Sequence, residues 1–146
     1  LVVVAIIGIL ASVGVVAYGG YTASAKKGAA KSNYNSVAKW TRNELQKCNI
    51  GEEKAMDDKL KCSDTNNATK VALAVFQSQT STTAKMKNPY GGANAVVNSA
   101  VATTCSKTNR GQIGVAASGT DISVTSCTAE KDGAVTNFYS EVIALD

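Results

Sequence analysis

Four cysteines, Cys48, Cys62, Cys105 and Cys127, are the residues of this chain best suited to forming bonds. No Cys-x-x-Cys spacing occurs and there is no His, so a zinc site lacks its usual ligands. An even count favours disulfides in an oxidising compartment instead. Four cysteines allow three connectivities. Cys48–Cys62 and Cys105–Cys127 each close a local loop, and these are the expected pairs. The absence of His also leaves the many Ser and Thr hydroxyls without their commonest activating base. Glu52-Glu53 and Asp57-Asp58 fall in a stretch read as a short helix over residues 52–60, where a solvated face is the plain reading and a calcium site the sharper one. Asn67-Ala68-Thr69 matches a glycosylation sequon. No enzymatic activity, cofactor or metal is expected.

Charge is distributed very unevenly. The chain carries 15 Lys+Arg and 11 Asp+Glu, net +4 over 146 residues, yet the first charge is Lys26. Lys26, Lys27 and Lys31 cluster just beyond the charge-free stretch. They read as a solvated face, as contacts to anionic lipid headgroups, or as one of many weak basic patches along a polymer that captures DNA. Aromatics are 5% of residues. Tyr18, Tyr21, Tyr34 and Trp40 are too widely spaced for a continuous stack.

The elements that position these residues begin with residues 1–18, LVVVAIIGILASVGVVAY, of which 15 are apolar. As a helix they would be about 27 Å long, close to the thickness of a bilayer's hydrocarbon core. Apolar residues cover every side, so this helix must be buried in lipid or in other protein. A signal peptide is one reading, since Ala23-Ser24-Ala25 fits the small-residue cleavage pattern. A plain membrane anchor is the second. The third is a helix that is first an anchor and later the core of a polymer.

Beyond Gly19-Gly20 the pattern turns one-sided. Tyr34, Val37, Ala38, Thr41, Leu45 and Cys48 recur as one face of an amphipathic helix, so one helix is expected from residue 1 to about 47, stopped at Asn49-Ile50-Gly51. A second is expected over Ala68 to Gln79, capped by Asn66 or Asn67. Lys87 to Gly92 is a loop around the only proline, Pro89. Ala93 to Ala102 reads as helical or irregular. Strands are expected over Gln112–Ala117, Asp121–Cys127 and Asn137–Leu145, with turns at Ser118–Thr120 and Glu130–Gly133. In the last, Tyr139, Ile143 and Leu145 share one face.

The fold class is therefore α+β: a long N-terminal helix, its apolar half protruding and its amphipathic half packed on an antiparallel sheet of three to four strands. Residues 1–25 form the apolar helix. Residues 26–146 form a head made of the helix half 26–47, a loop region 48–110, and the sheet and C-terminal disulfide region 111–146.

The run LVVVAIIGIL, Leu1 to Leu10, followed by Ala11 and the pair Ala17-Tyr18, resembles the N-terminal signature of type IV pilins and the related secretion pseudopilins. The rest of the chain is similar to them only in plan. The resemblance implies a leader removed by a dedicated peptidase, then a methylated Phe and a Glu at the fifth position, ahead of the residue that is Leu1 here. That Glu is assigned to no position within residues 1–146. Where many pilins carry a helix-loosening Pro, this chain has Val16, and Gly8 and Gly14 are the weak points at which the helix would melt in a filament. The residues expected to form first the membrane segment and then the filament core are Leu1, Val2, Val3, Val4, Ala5, Ile6, Ile7, Gly8, Ile9, Leu10, Ala11, Val13, Val15, Val16 and Tyr18.

Taken together, the expectation is a structural subunit that polymerises into an extracellular pilus on a bacterial surface, serving adhesion, twitching motility or DNA uptake. Its partners would be copies of itself, inner-membrane lipid before assembly and the pilus assembly machinery, with DNA and host or abiotic surfaces as further candidates. The alternatives are a type II secretion pseudopilin, a minor tip adhesin or DNA-binding pilin, and a membrane-anchored extracellular domain that forms no polymer.

Overall fold

The computed structural model describes residues 1–80, 86–92, 94–99, 105–106, 108–128 and 138–145. The first helix, α1, is Val2–Asn49, 48 residues without a break, or about 70 Å at the α-helical rise. It stops where Gly51 takes a φ of +98° and the Gly51 amide turns back to the Cys48 carbonyl, a conformation that glycine adopts without a Cβ clash.

The second half of α1 buries Ala30, Tyr34, Val37, Ala38 and Thr41, the stripe its spacing predicts. The Thr41 hydroxyl donates to the Val37 carbonyl at 2.8 Å, so this buried polar group is satisfied within the helix. Glu44 lies on the same stripe and is also buried. Its carboxylate accepts a hydrogen bond from the Met56 amide at 2.6 Å and another from the Lys47 ammonium.

That carboxylate explains a correction to the expected helix over residues 52–60. The segment is instead an antiparallel hairpin, β1 (Lys54–Ala55) and β2 (Leu60–Lys61). Its turn is left-handed: Met56, Asp57 and Asp58 have φ of 58°, 54° and 64°. Asp tolerates this region, but a long unbranched side chain such as Met adopts it only when its surroundings compel it. Met56 is fully buried in the core and its amide is held by Glu44, so packing overrides local preference.

One turn of 3-10 helix (Cys62–Asp64) leads to α2, Ala68–Thr80. Asn67 caps it, its side-chain oxygen accepting from the Lys70 amide at 3.1 Å. The main sheet contains β3 (Val96–Val97), β4 (Ile113–Ser118), β5 (Asp121–Cys127) and β6 (Phe138–Ile143), in that spatial order. The β4–β5 hairpin turns tightly, pairing Ser118 with Asp121. β6 returns antiparallel to β5, pairing Ile143 with Ile122.

β3 runs parallel to β4, so the sheet is mixed rather than wholly antiparallel. The cause is the long connection, residues 98–112, which allows a crossover where a short turn would have forced an antiparallel return. The expected turn at Glu130–Gly133, the strand start at Asn137 and residues 93 and 100–102 lie outside the described residues; residues 94–99, expected as helical or irregular, are irregular apart from β3.

The amphipathic half of α1 packs on the sheet as expected, and α2 shares that cover. α2 packs on β4 and β5 through Val71, Ala74 and Val75, while α1 packs on β5 and β1. Two helices therefore share a core built around Val37, Val71, Val75, Ile113, Val115, Ile122 and Val124, all fully buried. Tyr34 meets Tyr139 of β6 with ring centroids 5.7 Å apart. Arg42 pairs with Glu141 on the same strand.

Two outcomes follow for the chain held in detergent micelles. Glu44→Ala should lower unfolding free energy by about 2 kcal/mol, since it strips a buried amide of its acceptor; urea midpoints measure this. Burial, opposed by the weaker pull of Arg42, raises the Tyr34 phenol above its ordinary value of 10.0. The folded chain then keeps a proton that the unfolded chain releases, so the stability tied to the neutral phenol is complete below about pH 10 and is lost as pH climbs through the folded value. Tyr34→Phe should flatten this alkaline decline.

Candidate functional site

Up to Tyr21, α1 stands clear of the rest of the described residues. Leu1 to Val15 and Ala17 to Tyr21 are exposed; Val4, Ile7 and Leu10 keep 73%, 60% and 68% of their surface. The side chain of Val16 lies outside what is described. An apolar surface this large is far beyond what a soluble monomer leaves in water. The helix is long and apolar enough to cross a membrane.

Its few polar groups are arranged for an apolar environment. Ser12 is the only hydroxyl residue besides tyrosines among residues 1–21, and it donates back to the Ile9 carbonyl at 2.8 Å. Thr22 does the same to Gly19 at 2.9 Å. Where no water is available, such intrahelical bonds are how hydroxyls are satisfied.

The glycines give a second indication. At Gly8, Gly14, Gly19 and Gly20 an added Cβ would meet nothing within 4 Å. Each costs about 1 kcal/mol of helix propensity relative to Ala, and no contact among the described residues offsets it. With Ala5, Ala11, Ser12 and Ala17 they leave a surface that a neighbouring backbone can approach closely. The helix is nonetheless continuous through Gly8 and Gly14 in the isolated chain.

The cysteines pair as expected. Cys48–Cys62 joins the end of α1 to the β1–β2 hairpin, with Cα atoms 5.2 Å apart. Cys105–Cys127 joins the approach to β4 with the end of β5, at 5.6 Å. Glu52, Glu53, Asp57 and Asp58 remain exposed. Among the described residues no group of three His, Cys, Asp or Glu side chains could hold a metal ion.

The three lysines at the head of the amphipathic half do not act as one patch. Lys31 lies over the Tyr139 ring, 5.5 Å from its centroid, and Lys27 is half-buried. Lys26 lines a recess of about 230 Å³ with Thr22, Ala23, Tyr90 and Arg110. Only Lys26, of this set, stands out in the sequence as part of a charged feature. Tyr90 falls in the proline loop and Arg110 in an unremarked turn.

That recess is firmly built on the head side. Asn88 donates to the Arg110 carbonyl at 2.7 Å and accepts from the Tyr90 amide at 2.9 Å. The Tyr90 hydroxyl donates to the Thr128 carbonyl, and the Arg110 guanidinium sits 5.3 Å above the Tyr90 ring. Gly111 follows with φ +72°, its amide bonded to the Cys127 carbonyl at 2.7 Å; a Cβ there would clash with Asn88 and Tyr90.

No family model, no curated protein and no solved structure matches the chain.

The loops closed by the two disulfides span 14 and 22 residues of separation. Removing either pair by Cys→Ser substitution should lower stability by about 3 kcal/mol, on the loop-entropy scale. Thermal unfolding of the oxidised and doubly substituted chains checks this, and non-reducing peptide maps should recover both pairs.

Proposed function

We propose that this chain is the structural subunit of a type IV pilus, a homopolymer on a bacterial surface that serves adhesion, twitching motility or DNA uptake. The observation that carries the proposal is the join between the two halves of α1. A fully exposed apolar half continues unbroken into a half clamped by a disulfide-tied head. The likeness of Leu1 to Leu10 to the pilin signature supports the same reading.

In this proposal a peptidase trims a leader, the subunit waits in the inner membrane, and assembly machinery withdraws it. Leu1 to Tyr18 then pack against the same segments of neighbouring subunits. Lipid tails and a bundle of Val and Ile side chains are similarly apolar, so burial alone drives the transfer weakly and close packing must supply the remainder. The small residues from Ala5 to Ala17 serve that packing. Gly8 and Gly14 let the helix unwind locally between Gly8 and Val16 as it packs. The role is structural rather than catalytic.

Imaging of cell-surface material is the decisive measurement. Filaments built of this chain alone are expected; rare copies at a tip, or membrane-bound monomers only, would overturn the proposal. Ile7→Lys should abolish the filaments, since a lysine in an apolar interior costs roughly 3 kcal/mol in every subunit. Circular dichroism should show the head still folded, because Ile7 is exposed.

A further inference from the structure

We propose that Cys62 is the thiol through which this head is oxidised: it forms a mixed disulfide with an anionic, disulfide-bearing oxidant held at Lys54 and Lys61, and Cys48 then resolves it. The proposal holds whether or not the chain polymerises.

Sequence does not separate the two sulfurs. Each follows a lysine, as Lys47-Cys48 and Lys61-Cys62, and both cysteines are half-buried. The fold separates them. Cys48 lies in the last turn of α1, at the carbonyl end of the helix, which disfavours a thiolate. The Lys47 ammonium beside it is taken up by the Glu44 carboxylate.

Cys62 lies in opposite surroundings. It lines an open recess of about 330 Å³ with Glu53, Lys54, Lys61 and Ser63. Its amide donates to the Glu53 carbonyl at 3.0 Å, which fixes the residue at the end of the β1–β2 ladder. One step along that ladder Lys54 and Lys61 stand directly opposite each other, both exposed. Like charges so placed repel and cost stability. Glu53 offsets one of the two ammonium groups at most. A thiolate at Cys62 relieves the remainder, and so do carboxylates on an incoming oxidant.

The chemistry is two exchanges. The Cys62 thiolate attacks one sulfur of the oxidant's disulfide; a Cys62–oxidant bond forms, and the oxidant's other sulfur leaves as a thiolate and takes a proton from water. Cys48 then gives its proton to water and attacks the Cys62 sulfur. The Cys48–Cys62 bond forms, and the oxidant's second sulfur leaves as a thiolate. The chain loses two electrons and the oxidant gains two. Cys62 enters first because the docking cations and the favoured thiolate are both on its side.

The test uses full-length chain in detergent micelles, with Cys48→Ser leaving the Cys62 thiol free and Cys62→Ser leaving that of Cys48. Adduct formation is followed by intact mass with oxidised glutathione, an anionic disulfide, and with cystamine, a cationic one. At low salt Cys62 should take glutathione about tenfold faster than Cys48, a lead set by thiolate fraction and docking together. The lead should shrink with cystamine, with added salt, and in Lys54→Gln on the Cys48→Ser background. Lys39→Gln, an exposed lysine on α1, should keep it.

Should either serine variant fail to fold by circular dichroism, reduced wild-type chain is reoxidised with glutathione disulfide, quenched early in acid and mapped. The first adduct should sit on Cys62 in micelles and on both cysteines equally in concentrated urea, where only the matched Lys-Cys neighbours remain. Equal rates for the two thiols, or a first adduct on Cys48, overturns the proposal. A lead of the same size with cystamine, or one that survives Lys54→Gln, overturns the recess as its cause. None of these outcomes bears on the filament reading.

Discussion

A helix that is apolar on every side cannot end its life in water, and this constraint organises the molecule. Burying the surface of Val4, Ile7 or Leu10 needs either lipid or other protein, because among the described residues the head reaches no further along α1 than Thr22. The head packs on one end of a long rod and leaves the other uncovered among the described residues. In the isolated chain residues 1–21 join the head through one unbroken helix, Val2–Asn49.

Holding the rod with a small head is difficult. The core is mostly Val, Ala and Ile, with little aromatic bulk, and a core of that size leaves little surplus stability. Three devices reinforce it where α1 enters. Glu44 reaches from the helix to fasten a left-handed turn. Cys48–Cys62 locks the hairpin carrying that turn to the helix end. On the other flank, β6 is drawn to α1 by the Tyr34–Tyr139 contact and the Arg42–Glu141 ion pair. The ion pair is half-exposed and contributes modestly; the buried carboxylate and the disulfide matter more. The Cys105–Cys127 bond stabilises the opposite end, where the Arg110 turn meets β5.

Much of this was legible from spacing alone. The stripe Tyr34, Val37, Ala38, Thr41 announces a helix face, and β5 falls on Asp121–Cys127 as alternation of Ile122 and Val124 predicts. Both cysteine pairs follow from local loop closure. The hairpin at residues 52–60 was not legible. Its charged residues look helical, and the left-handed turn depends on Glu44, a residue outside the segment. The parallel β3 was equally hidden, since two residues of strand leave no periodicity. Lys26, Tyr90 and Arg110 are far apart in sequence and gather only when the β4 approach folds back against α1.

The sequence by itself determined that this chain has a water-avoiding end and a water-facing one, because hydrophobic patterning is local and survives any arrangement of the rest. It determined where the long helix ends, the two disulfide loops and the succession of α1, α2, β4, β5 and β6 for the same reason. The tertiary structure alone decided which helix covers the sheet, which carboxylate becomes buried, and which cations share a recess at the rim. Those outcomes depend on contacts between residues distant in the chain, where packing and desolvation outweigh local propensity.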